Sequence, residues 1–153
     1  MSKTVILKLD QVKCTTEAHC IDMTGGEITG SYVVNGDLRF DKPIRSKASL
    51  CSSGALDLSL SNYFVCNCTG NMTYSFTNVP SDADVVSVVL ELHNAGAYAL
   101  TFPANVQWGG GAMPTFTSGA SDLVGFITTD GGSNWRGMGL NFNSAITFTA
   151  PAA

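Results

Sequence analysis

Leu56–Leu60 (LDLSL), Tyr63–Cys68 (YFVCNC), Met72–Phe76 (MTYSF), Asp84–Asn94 (DVVSVVLELHN), Ala97–Phe102 (AYALTF), Asp122–Asp130 (DLVGFITTD) and Asn134–Leu140 (NWRGMGL) decide the fold. Each alternates apolar with polar residues, which is the period of a strand with one face in a core. Gly, Asn, Asp and Pro turns separate them. Seven short strands at nearly even spacing predict an all-β fold, specifically an antiparallel, jelly-roll-like β-sandwich. The central strand is the most continuous apolar run, Val85–Leu92. It carries Val86, Val88, Leu90 and Leu92 on one face and Val85, Ser87, Val89, Glu91 and His93 on the other.

The chain of 153 residues suffices for one domain with a real core. We divide it into a β-rich N-terminal arm and hairpin segment, 1–50, for anchoring or trimerisation, and a sandwich domain, 51–153. Within the arm, Val5–Leu9 reads as a strand suited to pairing with a neighbour, and Asn35-Gly36 is a two-residue hairpin signal. The short pieces Glu27–Thr29, Tyr32–Val34 and Leu38–Phe40 cannot bury a core alone. They fit either a wrapping of several chains about one axis or a hairpin laid across the sandwich. Ser46–Gly54 has the small, polar composition of a linker.

Only 13% of residues are charged while 44% are hydrophobic, which predicts self-association. The net charge of −4 is uneven. Seven of the eight Lys and Arg lie in the first 50 positions beside six acids, a net +1, whereas Arg136 faces six acids in the remainder, a net −5. A basic arm on an acidic partner surface and a merely mixed, solvated surface both fit this split. No run of like charge suggests nucleic acid. No apolar segment reaches the roughly 18 to 20 residues of a membrane span, and Val5–Leu7 is too short for a secretory core. The expectation is a chain made in, and retained by, the cytoplasm.

Five cysteines, Cys14, Cys20, Cys51, Cys66 and Cys68, without a secretion signal read as free thiols. Cys66 and Cys68 share a strand face with Phe64 and are expected to pack against it. Their spacing is not that of a zinc knuckle, so no metal ligands are assigned. Glu91 and His93 could form an acid–base couple, but no nucleophile or third orienting group accompanies them in sequence. An exposed polar sheet face is expected there instead. The other acids beyond residue 50, Asp57, Asp82, Asp84, Asp122 and Asp130, are scattered, and no pair marks the acid and base of a glycosidase. Catalytic and cofactor-binding residues are therefore none, and the chain is expected not to be an enzyme.

Pro103–Ser121 reads as one long connection. Its Gly109-Gly110-Gly111 lacks the Lys-Ser/Thr and following helix of a phosphate loop. Trp108 in it is either tucked under the loop or exposed on a partner-facing rim. Thr128-x-Asp130-x-Gly132-x-x-Trp135 has the order of an Asp-box turn, in which the carboxylate bonds turn amides while the Trp packs beneath. One copy cannot make a propeller.

Four motifs then occur in order: Leu56-Asp57-Leu58-Ser59 with Asn62-Tyr63-Phe64; Thr69-Gly70-Asn71-x-Thr73 leading to Phe76-x-Asn78-x-Pro80; Thr101-Phe102-Pro103-Ala104-x-Val106-x-Trp108-x-Gly110-Gly111; and Thr128-x-Asp130-Gly131-Gly132-x-x-Trp135-x-Gly137. Over about residues 54 to 138 the chain resembles a domain of tailed-phage virion proteins found in tail fibres, head fibres and other surface proteins. The resemblance implies a homotrimeric, non-enzymatic structural protein on the virion surface, assembled in the host cytoplasm. It implies capsid decoration (cement) or a head fibre, held by the N-terminal segment, with the major capsid protein or another virion protein as partner. The alternative is a tail-fibre or baseplate component that binds a host-surface glycan through aromatics such as Trp108 or Tyr98. The first 50 residues lie outside the resemblance, and the chain is shorter than a typical fibre.

Overall fold

A computed structural model describes residues 47–81 and 85–151. The readings of the arm, including Val5–Leu9, Asn35-Gly36, Cys14 and Cys20, lie outside the described residues, as do Asp82 and Asp84. The described chain is all-β. In chain order its strands are β1 (Ala48–Leu50), β2 (Ala55–Asp57), β3 (Tyr63–Asn67), β4 (Met72–Thr73), β5 (Ser75–Thr77), β6 (Val86–His93), β7 (Leu100–Thr101), β8 (Val106–Trp108), β9 (Ser121–Thr128) and β10 (Trp135–Ser144). The only helical elements among the described residues are 3-10 turns at Ala95–Ala97 and Gly109–Gly111.

Six strands form one mixed sheet in the order β1-β3-β6-β9-β10-β8, and two short ladders, β2-β5 and β4-β7, complete the fold. The expected antiparallel pairing is corrected here. Five of the seven pairings are parallel, and only β6-β9 and β9-β10 run antiparallel. Parallel neighbours cannot be joined by a tight hairpin and need a crossover, which is usually a helix. Here the crossovers are themselves strands. The chain leaves the large sheet after β1, runs through β2, returns as β3, leaves again through β4 and β5, returns as β6 and leaves through β7. Each departure stacks on the previous one, so β1-β3-β6 and the two short ladders are rungs of one winding. Strand alternation in sequence registers which residues face inward, but it is blind to the direction of the neighbour.

Rungs are joined by backbone bonds beyond the strand ends: Leu58 N–H to Thr77 O at 3.0 Å, Tyr74 N–H to Thr101 O at 2.8 Å and Cys68 N–H to His93 O at 3.0 Å. Gly54 sits where successive rungs approach most closely. Its φ is +81°, and a Cβ there would collide with the Thr73 carbonyl, so only glycine fits. The presumed linker Ser46–Gly54 therefore contains an edge strand, β1. All described strands belong to the contact unit Ile44–Ala153, which begins ahead of residue 51.

The core fills the space between the inward face of the large sheet and the short ladders. Phe64, Cys66, Val88, Leu90, Leu92, Val124 and Phe126 of the sheet form one buried cluster with Leu56, Tyr74, Leu100 and Trp135. Phe76 of β5 stacks on Trp135 at 4.1 Å and meets Phe126 edge-on at 5.1 Å. The alternation of β6 is as read: Val88, Leu90 and Leu92 are buried inward. Leu56–Leu60 and Ala97–Phe102 shorten to three and two strand residues, while β10 runs on to Ser144 through register shifts at Gly139/Asn141 and Asn141/Ser144. The long connection is not structureless, because β8 inside it pairs in parallel with β10, matching Val106 to Trp135 and Trp108 to Gly137.

Candidate functional site

The large sheet's second face carries the polar cluster that the sequence placed in solvent. Parallel pairing of β3 with β6 sets Val65 beside Glu91 and Asn67 beside His93, with Tyr63 one outward position back on β3. The Tyr63 hydroxyl donates to Glu91 Oε2 at 2.7 Å. His93 Nε2 meets Glu91 Oε1, also at 2.7 Å, so the carboxylate is held from both sides. His93 is only 5% exposed, because the chain after β10 returns across this face and sets Phe148 edge-on against the imidazole at 5.4 Å. The expectation of an exposed polar face is corrected. Beside the cluster lies a cavity of about 260 Å³ lined by Tyr63, Glu91, Ser121, Leu123, Asn141 and Ile146, among others.

Tyr63 is thus the third group that the Glu91–His93 pair lacked in sequence. Among the described residues no hydroxyl or thiol nucleophile hydrogen-bonds His93, so the arrangement orients an imidazole without an attacking atom in contact. Burial, with the Glu91 carboxylate beside it, pushes the Tyr63 hydroxyl up to about 12. A phenol whose folded-state pKa exceeds its unfolded value adds stability that is complete below about pH 10 and is lost as pH rises through about 12. Absorbance titration should accordingly show a tyrosine ionising near pH 12 that disappears in Tyr63→Phe. A wild-type curve in which that tyrosine ionises near the unperturbed value would refute the contact.

The Asp-box reading is borne out as geometry. Asp130 Oδ1 accepts from the Asn134 amide at 2.9 Å and from the Thr128 hydroxyl at 2.8 Å, and its Oδ2 accepts from the Asn134 side chain at 2.9 Å. Trp135 packs in the core beneath at 1% exposure. The Asn134 and Thr128 bonds hold the exposed Asp130 carboxyl below the ordinary carboxylate value. A depressed folded-state pKa contributes stability above the unfolded value, near 4, that is lost as pH falls through the folded one. Asp130→Asn should therefore flatten the fall of the unfolding midpoint below about pH 4, with the variant lower than wild type near neutrality and the two converging in acid. An unchanged acid limb would assign that fall to other carboxylates.

The other acids among the described residues are also occupied as acceptors. Asp57 Oδ1 takes the Ser59 amide, the Ser59 hydroxyl and the Asn78 side chain. Asp122, fully buried, takes the Thr117 amide at 2.5 Å and the Asn143 amide at 2.9 Å. Sequence reasoning counted Asp122 among scattered acids. Its partners lie in a loop before β9 and in an irregular part of β10, and no local spacing signals them.

Cys66 and Cys68 face the core with Phe64, as read, and Cys51 joins them from beyond the end of β1. The Tyr74 hydroxyl lies 3.4 Å from Cys66 Sγ and 3.5 Å from Met72 Sδ. Among the described residues no group of three His, Cys, Asp or Glu is placed to hold a metal ion.

Trp108 is tucked rather than presented on a rim. It is half-buried, edge-on to Phe102 at 5.2 Å and to Phe126 at 5.6 Å, and it lies on Gly137, where a Cβ would come within 2.7 Å of its ring. Tyr98 instead lines an open hollow of about 430 Å³ with Leu100, Met113, Pro114 and Phe116. Comparison with protein-family models, with curated proteins and with solved structures found no match.

Proposed function

We propose that the chain is a non-enzymatic, homotrimeric structural protein of a phage virion, a capsid decoration (cement) protein or head fibre. In this reading the N-terminal segment attaches it to the major capsid protein or to another virion protein. The observation that carries self-association is the far half of β10. Beyond Gly137 that strand pairs with β9 on one side, and among the described residues no strand pairs with its other edge. Leu140 is 49% exposed there and Phe142 37% exposed, with Ile146 following at 63%. A free strand edge bearing apolar side chains is a template for another chain, and monomers blunt such edges with charge. No Lys or Arg lies in 137–151. The scarcity of charge over the whole chain and the ordered phage-like motifs support the same reading.

Assembly would follow mass action, since copies that bury these edges stabilise one another. Sedimentation of the full chain should give a trimer, and Leu140→Asp with Phe142→Asp a folded monomer. A wild-type monomer at micromolar concentration that binds no capsid shells would defeat the proposal. Cryo-electron microscopy of the particle separates the locations. Density on the head at threefold or quasi-threefold positions fits decoration.

The second reading, a tail-fibre or baseplate component that binds a host glycan, is favoured by the Tyr98 hollow. Aromatic and thioether surface there, in Tyr98, Phe116 and Met113, offers a sugar an apolar face, whereas Trp108 is largely covered. Tail density together with glycan-array binding that Tyr98→Ala abolishes would select it over decoration.

A further inference from the structure

We propose that Cys51 and Cys66 are a disulfide-forming pair, which closes when the reduced chain meets a disulfide oxidant such as oxidised glutathione and thereby ties edge strand β1 to β3. The register of β1 on β3 ends at Leu50 and Val65, but the Cys51 amide still donates to Val65 O at 2.9 Å. The parallel ladder thus continues one residue further and sets Cys51 opposite Cys66. Neighbouring strands lie about 4.8 Å apart, inside the Cα separation of roughly 4.4 to 6.8 Å that a disulfide spans. Cys66 Sγ already reaches 2.9 Å from Cys51 O, and both residues point into the core. Cys68 is the wrong partner for Cys66. Two residues along one strand separate their Cα atoms by roughly 6.6 Å, at the upper limit of the range a bridge spans, whereas the facing pair sits near its lower end.

Both thiols are buried, at 3% and 0% exposure, so an oxidant reaches them only when β1 opens. Among the described residues that strand is three residues long and has a neighbour on one side only, as β8 has at the opposite edge, and a short edge strand opens more readily than the interior of the sheet. Contact with the Cys66 thiol holds Cys51 below the ordinary thiol value, whereas Cys66 is driven above it, so within this pair Cys51 is the first nucleophile; Cys66 also holds Cys68 down, to about 7, so disulfide mapping must separate the two. Its thiolate attacks one sulfur of oxidised glutathione, the S–S bond breaks and one glutathione thiolate leaves. As β1 closes, the Cys66 thiolate attacks Cys51 Sγ in the mixed disulfide and expels the second glutathione. The two cysteines lose two electrons and two protons, and both appear in two molecules of reduced glutathione. If the segment before β1 anchors the protein, a point that rests on the proposed function, the bond would pass tension from the anchor directly into the large sheet. The bond itself does not depend on that reading.

The test uses the full chain carrying Cys14→Ser and Cys20→Ser, incubated under native conditions with oxidised glutathione and then alkylated. The expected product is lighter by two hydrogens before alkylation and carries a single alkyl group, on Cys68. Its chymotryptic fragments containing Cys51 and Cys66 remain joined. Cys68→Ala should still close, Cys51→Ala should stop at a glutathione adduct or unmodified thiols, and hydrogen exchange at the Cys51 amide should slow in the oxidised protein. Three alkylated thiols after exposure that closes an unfolded control would overturn the proposal. So would a Cys51–Cys68 or Cys66–Cys68 linkage, and the mapping on the cysteine-intact core decides this even where Cys51→Ala fails to fold.

Discussion

Replacing Trp135 by alanine should lower the free energy of unfolding by about 3–5 kcal/mol, the largest loss expected from a single truncation among the described residues. Trp135 opens β10 and is 1% exposed. It stacks on Phe76 at 4.1 Å and 20°, and so joins the β2-β5 ladder to the large sheet. Its amide also donates to Asn105 O at 3.0 Å, fixing the approach to β8. Truncation would leave a cavity bordered by two sheets that cannot collapse independently. The contrast is Trp108→Ala, where a half-buried ring resting on Gly137 should cost distinctly less. Urea unfolding followed by circular dichroism measures both. Equal losses would show that the core is not centred on the final hairpin.

The second large effect is expected at Asp122. This carboxylate is fully buried on the inward side of β9, and each oxygen accepts one backbone amide, Thr117 from the preceding loop and Asn143 from β10. Asp122→Ala would strand both donors, and because Thr117 is part-buried and Asn143 exposed, water replaces the carboxylate in part and the loss should fall toward the lower end of about 1–3 kcal/mol for each amide. Asp122→Asn keeps one acceptor oxygen and turns the other position into a donor facing an N–H, so it should recover only part of the loss. Thermal unfolding of the two variants gives the ordering, with hydrogen exchange at Thr117 and Asn143 as the local readout. An asparagine variant as stable as wild type would mean that a single amide bond carries the site.

Gly96 shows why the loop before β9 is so demanding. A Cβ on it would clash with the backbone from Phe116 to Ser118, and its amide donates to Thr117 O at 3.0 Å. The same three-residue stretch therefore packs on the 3-10 turn after β6 and bonds Asp122. This places the Tyr98 hollow, bordered by Gly96 and Phe116, on a rigid base.

Much of the inward-facing set was legible. Period-two alternation picked out Phe64 and Cys66 on β3 and Val88, Leu90 and Leu92 on β6, while the order Thr-x-Asp-x-Gly-x-x-Trp picked out the Thr128–Trp135 turn with its carboxylate acceptor. These depend on interactions within a few residues, which is what local sequence encodes. The Tyr63–Glu91–His93 cluster was legible only in part. The spacing of Glu91 and His93 on one face was visible, but Tyr63 comes from a strand 28 positions away, and its approach follows from parallel register. Asp122 was not legible as a buried acceptor at all, because an acid next to a strand looks the same whether it meets water or two amides.

By itself the sequence determined that this protein is all-β, which apolar side chains of β3 and β6 face the core, where the Asp-box turn closes, and that charge is concentrated in the first 50 residues. The tertiary structure alone decided the direction of pairing, the winding of β1, β3 and β6 with short strands as their crossovers, and the covering of His93. It also decided the placing of Cys51 opposite Cys66. The physical reason is one of range. Side-chain alternation is set by the geometry of a single strand, whereas strand direction and register are set by where the chain can return after crossing a core that several distant segments fill together.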